Sequence, residues 1–278
     1  MSGTVEPLVP LGATEVHDLW SEAVGDHFRV FVGHCGREPE AVLFVTDGNG
    51  LFGTAVDTVR MMRLPALLPA LLVVGIGYPG AATLADTVTV RARDLTPTPS
   101  RLFPGSGGAG SFLEFIRTEL IPWVGARWPS AVARTVYFGH SLGGLFGVHA
   151  LLTEPATFDD LIISSPSLWW GRKAPLTWEE QWAIDHDDLA ARVYVGIGGL
   201  ETDEGRRLEA VNLPDDDPFK PPAVYLDMVA DVIRFADAHR ARRYPSLRLD
   251  VDVFPGEFHA TAAPVVLNRG LRALLGPA

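Results

Sequence analysis

The chain has 278 residues, of which 47% are hydrophobic and 21% charged, a composition that suits one globular domain with a sizeable core and excludes a disordered chain. Its net charge of −11 argues against nucleic acid or an anionic membrane as a partner, because phosphate groups would be repelled. The single cysteine excludes an internal disulfide, no Cys/His cluster has zinc-ligand spacing, and no signal peptide or bilayer-spanning stretch is evident, so a cytoplasmic protein without a metal is expected.

Apolar runs and helical periodicity alternate along the chain. Amphipathic spacing predicts helices over 112–123 and 224–235, and leucines near 271–275 predict a closing helix. Strands alternating with helices indicate a single α/β domain over 1–278, with a mostly parallel sheet flanked by helices. No helix is evident between the early strands, which favours an antiparallel start. The strands are predicted at 28–32, 41–46, 71–76, 135–138, 161–163, 193–197 and 247–254.

Three stretches, 94–110, 164–188 and 212–222, are predicted to be irregular connections. The first is rich in Pro, Thr, Ser and Gly, the second carries four tryptophans, and the third places three aspartates between prolines. Ligand sites of α/β sheets lie at the carboxyl ends of the strands, where such connections meet. They are therefore interpreted as rim or lid segments rather than as separate domains.

The sharpest motif is Gly-His-Ser-Leu-Gly at 139–143, which centres on Ser141. A G-x-S-x-G pattern is weak alone, but here a predicted strand precedes it and a helical pattern at 145–152 follows it. That setting is typical of a nucleophile elbow, in which flanking glycines make room for a serine on a strained turn. The alternative is a Gly-rich turn that only joins a strand to a helix.

A serine hydroxyl needs a base within hydrogen-bond reach, and in folds with this elbow the chain order is serine, acid, histidine. Of the eight histidines, four come before the serine and His149 lies in the helix after it. His186 precedes the strand expected to carry the acid, and His239 is expected on the solvated end of a helix. His259, expected in the loop just past the strand 247–254, remains as the predicted base.

The acid is expected after the strand 193–197, where Glu201, Asp203 and Glu204 follow two glycines. A carboxylate there would accept the Nδ1 proton of His259 and stabilise the imidazolium that forms. The residues alone leave the three open, and each could instead be a solvated loop charge.

These motifs together resemble the esterase D and enterochelin-esterase-like branch of the α/β hydrolases. The resemblance covers roughly positions 28–275 and is more specific than the elbow alone. It is carried by Val-Thr-Asp-Gly-Asn-Gly at 45–50, Val-Gly-Ile-Gly-Tyr at 74–78, Arg-Ala-Arg-Asp-Leu-Thr-Pro at 91–97, the elbow at 139–144, Ser-Ser-Pro-Ser-Leu-Trp-Trp at 164–170, Gly-Gly-Leu-Glu at 198–201 and Phe-His at 258–259.

The resemblance implies roles that the spacing does not show. Glu201 matches the family's acid better than Asp203 does, and the backbone N–H groups of Asn49 and Leu142 would form the oxyanion hole. The alternative for the Asn49 segment is a plain turn. Trp169 and Trp170 resemble residues that line the substrate pocket, although tryptophans are as often core packing. The pair at 93–94 is implied to be structural. Apart from Gly-Gly-Leu-Glu at 198–201, the region 178–222 matches no part of the family pattern.

The sequence therefore predicts a serine esterase of the α/β-hydrolase fold that acts on a small-molecule ester through an acyl-enzyme on Ser141, without a cofactor. Two alternatives remain: an acyltransferase with the same triad, and a binding protein that retains the fold. The family contains hydrolases of several ester and thioester classes, so the resemblance does not imply the natural substrate. Neither does it imply the oligomeric state.

Overall fold

A computed structural model describes residues 11–211 and 227–277. Within them the chain forms a single α/β domain built on one sheet, in the spatial order β1-β2-β4-β3-β5-β6-β7-β8. The strands are β1 Thr14–Ser21, β2 Asp26–Cys35, β3 Ala41–Val45, β4 Leu71–Gly77, β5 Thr135–His140, β6 Asp160–Ser164, β7 Ala191–Gly198 and β8 Leu247–Phe254.

The sheet starts antiparallel and continues parallel. The pairs β1–β2 and β2–β4 are antiparallel, and every later pair is parallel. The inner strands β3 and β4 are buried along their whole length, as expected for strands covered on both faces. The seven predicted strands and the antiparallel start are confirmed, whereas β1 was not predicted because it is short of apolar residues and half of its residues are exposed.

Helices cover both faces of the sheet. They are α1 Gly48–Arg63, α2 Val88–Leu95, α3 Ala109–Phe115, α4 Ile121–Arg127, α5 Leu142–Leu151, α6 Trp170–Lys173, α7 Trp178–Asp185, α8 Asp203–Ala210, α9 Met228–Arg242 and α10 His259–Leu275. A π-helical turn, Ile116–Leu120, joins α3 to α4. Helices α1 and α10 pack on one face, and α3, α5 and α9 pack on the other. No helix in residues 11–211 and 227–277 is long and apolar enough to cross a membrane.

The structure corrects four expectations. Helix α1 lies between β3 and β4, where no helix was evident, because its Gly-rich start hides the periodicity. The stretch 164–188 contains α6 and α7 rather than only irregular chain, and Glu179 and Glu180 favour the first turn of α7. His239 is 2% exposed rather than solvated, since its ring packs beside Phe235. His259 begins α10 instead of lying in a loop. The stretch 212–222 lies outside the described residues.

Candidate active site

Consecutive strand ends along the parallel part of the sheet carry the predicted site residues. Ser141 follows β5, Glu201 follows β7 and His259 follows β8. Because β5, β6, β7 and β8 are neighbours and parallel, their carboxyl ends share one edge of the sheet. Residues that are 58 to 118 positions apart in sequence can therefore serve one site.

The backbone of Ser141 adopts φ 61° and ψ −115°, a strained conformation between β5 and α5. Its N–H donates to the Ser164 carbonyl at 3.0 Å, and its own carbonyl accepts from the Ser167 N–H at 3.1 Å. A side chain at Gly139 would collide with the Tyr137 hydroxyl and the next turn of the elbow. The turn is therefore over-determined by its surroundings, as a nucleophile elbow requires.

Glu201 and His259 are in direct contact. The Nδ1 of His259 lies 2.6 Å from Glu201 Oε2, and the carboxylate is 1% exposed. Burial alone would raise the pKa of Glu201, but hydrogen bonds from His259, Ser165 and the Gly198 N–H hold that pKa below 4.5. With Nδ1 engaged by a carboxylate, Nε2 is the nitrogen left to exchange a proton with a nucleophile. The carboxylate contact of Glu201 is the one expected of the predicted acid.

The alternative acids occupy a different setting. Asp203 begins α8 and pairs with Arg207 one turn later, and Glu204 is exposed. Glu201 is the carboxylate that the structure joins to His259.

His140, the residue before Ser141, packs beside the predicted base. Its ring centroid lies 4.6 Å from that of His259, and its Nδ1 is 2.9 Å from Ser164 Oγ. Burial, with a smaller contribution from the charges of His259 and Arg91, holds the pKa of His140 well below 6.5. A neutral imidazole therefore packs against the predicted base.

The hydroxyl of Ser141 forms a long hydrogen bond with Ser167 Oγ, at 3.4 Å. Within the described residues it makes no hydrogen bond to His259. Catalytic hydrogen bonds are often long in enzymes without substrate and tighten on binding, so this geometry is compatible with a serine nucleophile.

The predicted oxyanion donors lie in the first turns of two helices. Leu142 begins α5 and Asn49 is the second residue of α1, so neither N–H has a partner within its helix. The Asn49 side chain is used elsewhere: it accepts from the Tyr78 N–H at 2.7 Å and donates to the Tyr78 and Ala81 carbonyls. The role of the backbone N–H groups of Asn49 and Leu142 as oxyanion donors stays a prediction.

A buried ion pair lies at the start of α1 and was not predicted from the sequence. Arg91 donates to both carboxylate oxygens of Asp47, at 2.7 and 2.8 Å. Asp47 has φ 57° and is 4% exposed at the start of α1. The two residues are 44 positions apart, and only their shared presence in the family motifs could have indicated the contact.

The two tryptophans differ in environment. Trp170 is 1% exposed, donates from Nε1 to Thr98 and packs against Phe103. Trp170 is therefore a core residue. Trp169 is half-buried beside it. Substrate contact by either residue stays a prediction, and the exposure of Trp169 makes it the better placed of the two.

The described residues contain no group of three or more His, Cys, Asp or Glu side chains placed to hold a metal ion. The side chains carried at the carboxyl ends of β5, β7 and β8 include a serine, an imidazole and a carboxylate, the groups that nucleophilic catalysis uses.

Comparison with known proteins points to one family. A family model described as "Putative esterase" matches residues 27–219. The siderophore triacetylfusarinine C esterase of Aspergillus fumigatus is 42% identical over 137 residues, which are 49% of this chain and 47% of that protein. The matched segment thus spans about half of that relative.

Two further proteins match over nearly the whole chain. The ferri-bacillibactin esterase of Bacillus subtilis is 28% identical over 284 residues, covering 95% of this chain and 90% of that protein. The structure of a siderophore hydrolase from Aspergillus nidulans superposes with a TM-score of 0.81 at 27% identity and covers 98% of both chains.

Proposed function

The chain belongs to this esterase family, and from that premise we propose that it is a serine-dependent carboxylic ester hydrolase. The observation that carries the proposal is the buried Glu201–His259 contact of 2.6 Å at the strand edge that also presents Ser141 on a strained elbow. This is the arrangement that lets a weak hydroxyl nucleophile lose its proton as it attacks.

The reaction proceeds in two steps. Ser141 Oγ attacks the ester carbonyl while His259 Nε2 takes its proton, and the N–H groups of Asn49 and Leu142 hold the oxyanion of the tetrahedral intermediate. The imidazolium then gives its proton to the leaving alcohol, which produces the acyl-enzyme. Water, activated by the same histidine, releases the acid and restores the serine.

The names of the relatives support a proposal for the substrate class. The Aspergillus fumigatus and Aspergillus nidulans proteins are named as enzymes that act on siderophores, and the Bacillus subtilis protein is named for ferri-bacillibactin. We propose that the substrate of this chain is a siderophore ester. Purified protein is expected to hydrolyse enterobactin or triacetylfusarinine C at a higher kcat/KM than p-nitrophenyl acetate, and a preference for the simple ester would contradict this assignment.

Replacement of Ser141 by Ala tests the mechanism. We expect hydrolysis to fall by about three decades or more, because removal of a nucleophile leaves only binding and oxyanion stabilisation. A fluorophosphonate probe should label the wild type at Ser141 and leave Ser141→Ala unlabelled, with unchanged circular dichroism in both. Near-full turnover by the variant would exclude the mechanism, and the absence of labelling in an active wild type would exclude Ser141 as nucleophile.

Ser167→Ala is the matched control for this experiment. Its hydroxyl lies 3.4 Å from Ser141 Oγ, so it removes a neighbouring hydroxyl without removing the nucleophile. We expect Ser167→Ala to retain probe labelling.

A further inference from the structure

The loop after β6 contains a serine whose hydroxyl contacts the predicted acid. Ser165 is fully buried, and its Oγ donates to Glu201 Oε1 at 2.5 Å. Its N–H donates to the Gly196 carbonyl of β7 at 2.8 Å. The side chain of Ser165 is thus held at one fixed place relative to the strand that carries Glu201.

The contact divides the two oxygens of the Glu201 carboxylate between two tasks. Oε1 accepts from Ser165 Oγ and from the Gly198 N–H at 2.9 Å, and Oε2 accepts from His259. A buried carboxylate that lost Ser165 would keep one donor on Oε1 and could rotate about it. The direction in which Oε2 faces the imidazole therefore depends on the hydroxyl.

The backbone conformation gives a second observation. Ser165 has φ 43°, in the left-handed region that a non-glycine residue adopts at a cost of about 1 kcal/mol or more. Glycine would form this turn with less strain, but glycine has no hydroxyl. What serine supplies at this position and glycine cannot is the hydrogen bond to Glu201.

We propose that Ser165 is a positioning residue that fixes the Glu201 carboxylate for its contact with His259. The proposal rests on the proposed function, since it assigns Glu201 as the acid of an ester hydrolase. Ser165 acts through Glu201 and is assigned no contact with substrate.

Three variants test the proposal. Ser165→Ala and Ser165→Gly both remove the hydroxyl, but glycine also relieves the backbone strain, so a loss shared by both comes from the hydroxyl and not from misfolding. Ser21→Ala is the matched control, because Ser21 is equally buried and its Oγ also donates to a glutamate, Glu119, at 3.2 Å, away from the site.

We expect kcat to fall about 10- to 100-fold in both Ser165 variants, the loss of one hydrogen bond to a buried charge, with KM changed less than about threefold. The acid limb of the kcat/KM profile should move to higher pH in these variants. The Ser165 hydrogen bond is one of the contacts that lower the pKa of Glu201, so its removal raises that pKa, and the carboxylate that must accept from His259 Nδ1 is protonated at higher pH. Among the described residues, the other ring beside the base is His140, which the variants leave in place.

A readout independent of turnover separates this proposal from the proposed function. The Nδ1 proton of His259, held by Glu201, should give a downfield proton NMR resonance that is present in wild type and in Ser21→Ala, and shifted or lost in both Ser165 variants. An unshifted resonance, or kcat within twofold of wild type with an unmoved acid limb, would overturn the role of Ser165. A wild type that hydrolyses no ester would overturn the proposed function, and the resonance would still decide the positioning.

Discussion

Among single residues, Glu201 illustrates how burial selects one carboxylate from several near neighbours. Its side chain is 1% exposed and has three hydrogen-bond donors, whereas Asp203 is partly exposed and pairs with Arg207 on its own helix. A carboxylate must be held rigidly to fix the tautomer of an imidazole. The environment of Glu201 meets that requirement, while a surface ion pair on one helix contributes little rigidity.

Substitution of these two acids distinguishes their roles. We expect Glu201→Gln to lower kcat by about two decades or more with a small change in KM, because an amide cannot stabilise the imidazolium that forms. Asp203→Asn should remain within about tenfold of wild type. Steady-state kinetics on one ester decide the ranking, and a larger loss in Asp203→Asn would transfer the role of the acid to Asp203.

At the scale of elements, the segment after β6 joins the site to the helical layer. It leads from Ser164 through Trp169 and Trp170 into α6, where Gly171, Arg172 and Lys173 are all left-handed. Trp170 anchors this segment in the core by its contacts with Thr98 and Phe103. The backbone of this segment is strained at Ser165 and at 171–173, so its position depends on the contacts that anchor Trp170.

Paired substitutions of the two tryptophans distinguish packing from substrate contact. Trp170→Ala is expected to lower the free energy of unfolding by about 3–5 kcal/mol, since a fully buried indole is lost. Trp169→Ala should cost less stability and change the ratio of rates for aryl and alkyl esters. Thermal denaturation and an ester panel measure the two effects. If both variants lost stability alone, neither tryptophan would contact the substrate.

The neighbours Arg172 and Lys173 give a sharper comparison within the same left-handed turn. Lys173 Nζ lies 2.7 Å from Asp231 Oδ1 on α9, and Asp231 is 1% exposed. Lys173→Met should lower the free energy of unfolding by about 2 kcal/mol or more, because it leaves the buried carboxylate of Asp231 without its cation. The loss is smaller than for a fully buried ion pair because Lys173 is partly exposed. Arg172 is exposed and has φ 61°, a conformation that glycine adopts without strain. The free energy of unfolding of Arg172→Gly should therefore stay within about 1 kcal/mol of the wild-type value. Urea unfolding measures both, and equal losses would contradict the assigned role of the ion pair.

For the whole molecule, features set by residues close together in the sequence could be predicted, whereas contacts between distant residues could not. The five inner strands β3 to β7 could be predicted because burial on both faces leaves continuous apolar runs, and the elbow could be predicted because its residues are contiguous. The Ser165–Glu201 and Asp47–Arg91 contacts join residues 36 and 44 positions apart, so nothing local indicates them. His239 was misassigned because flanking arginines make its helix end look solvated, although its own face of α9 packs inward.

The corrected burial of His239 predicts how acid affects the stability of the whole domain. Its Nδ1 is 2.7 Å from the Phe235 carbonyl, and its Nε2 has no hydrogen-bond partner in the described part of the chain. Burial, opposed by smaller contributions from Phe235 and Glu179, lowers the pKa of His239 below 6.5. Since the unfolded chain binds the proton first, stability is unaffected by this group above about pH 6.5 and falls as the pH drops below it, until the folded-state pKa is reached.

Replacement of His239 by Leu should remove this dependence. Between about pH 7 and pH 5 the wild type is expected to lose up to about 1.4 kcal/mol per pH unit more than His239→Leu, the limit for one proton. Urea titrations at several pH values measure the difference. Parallel slopes for wild type and His239→Leu would show that His239 takes up its proton equally in the folded and unfolded chains, and would contradict the effect assigned to its burial.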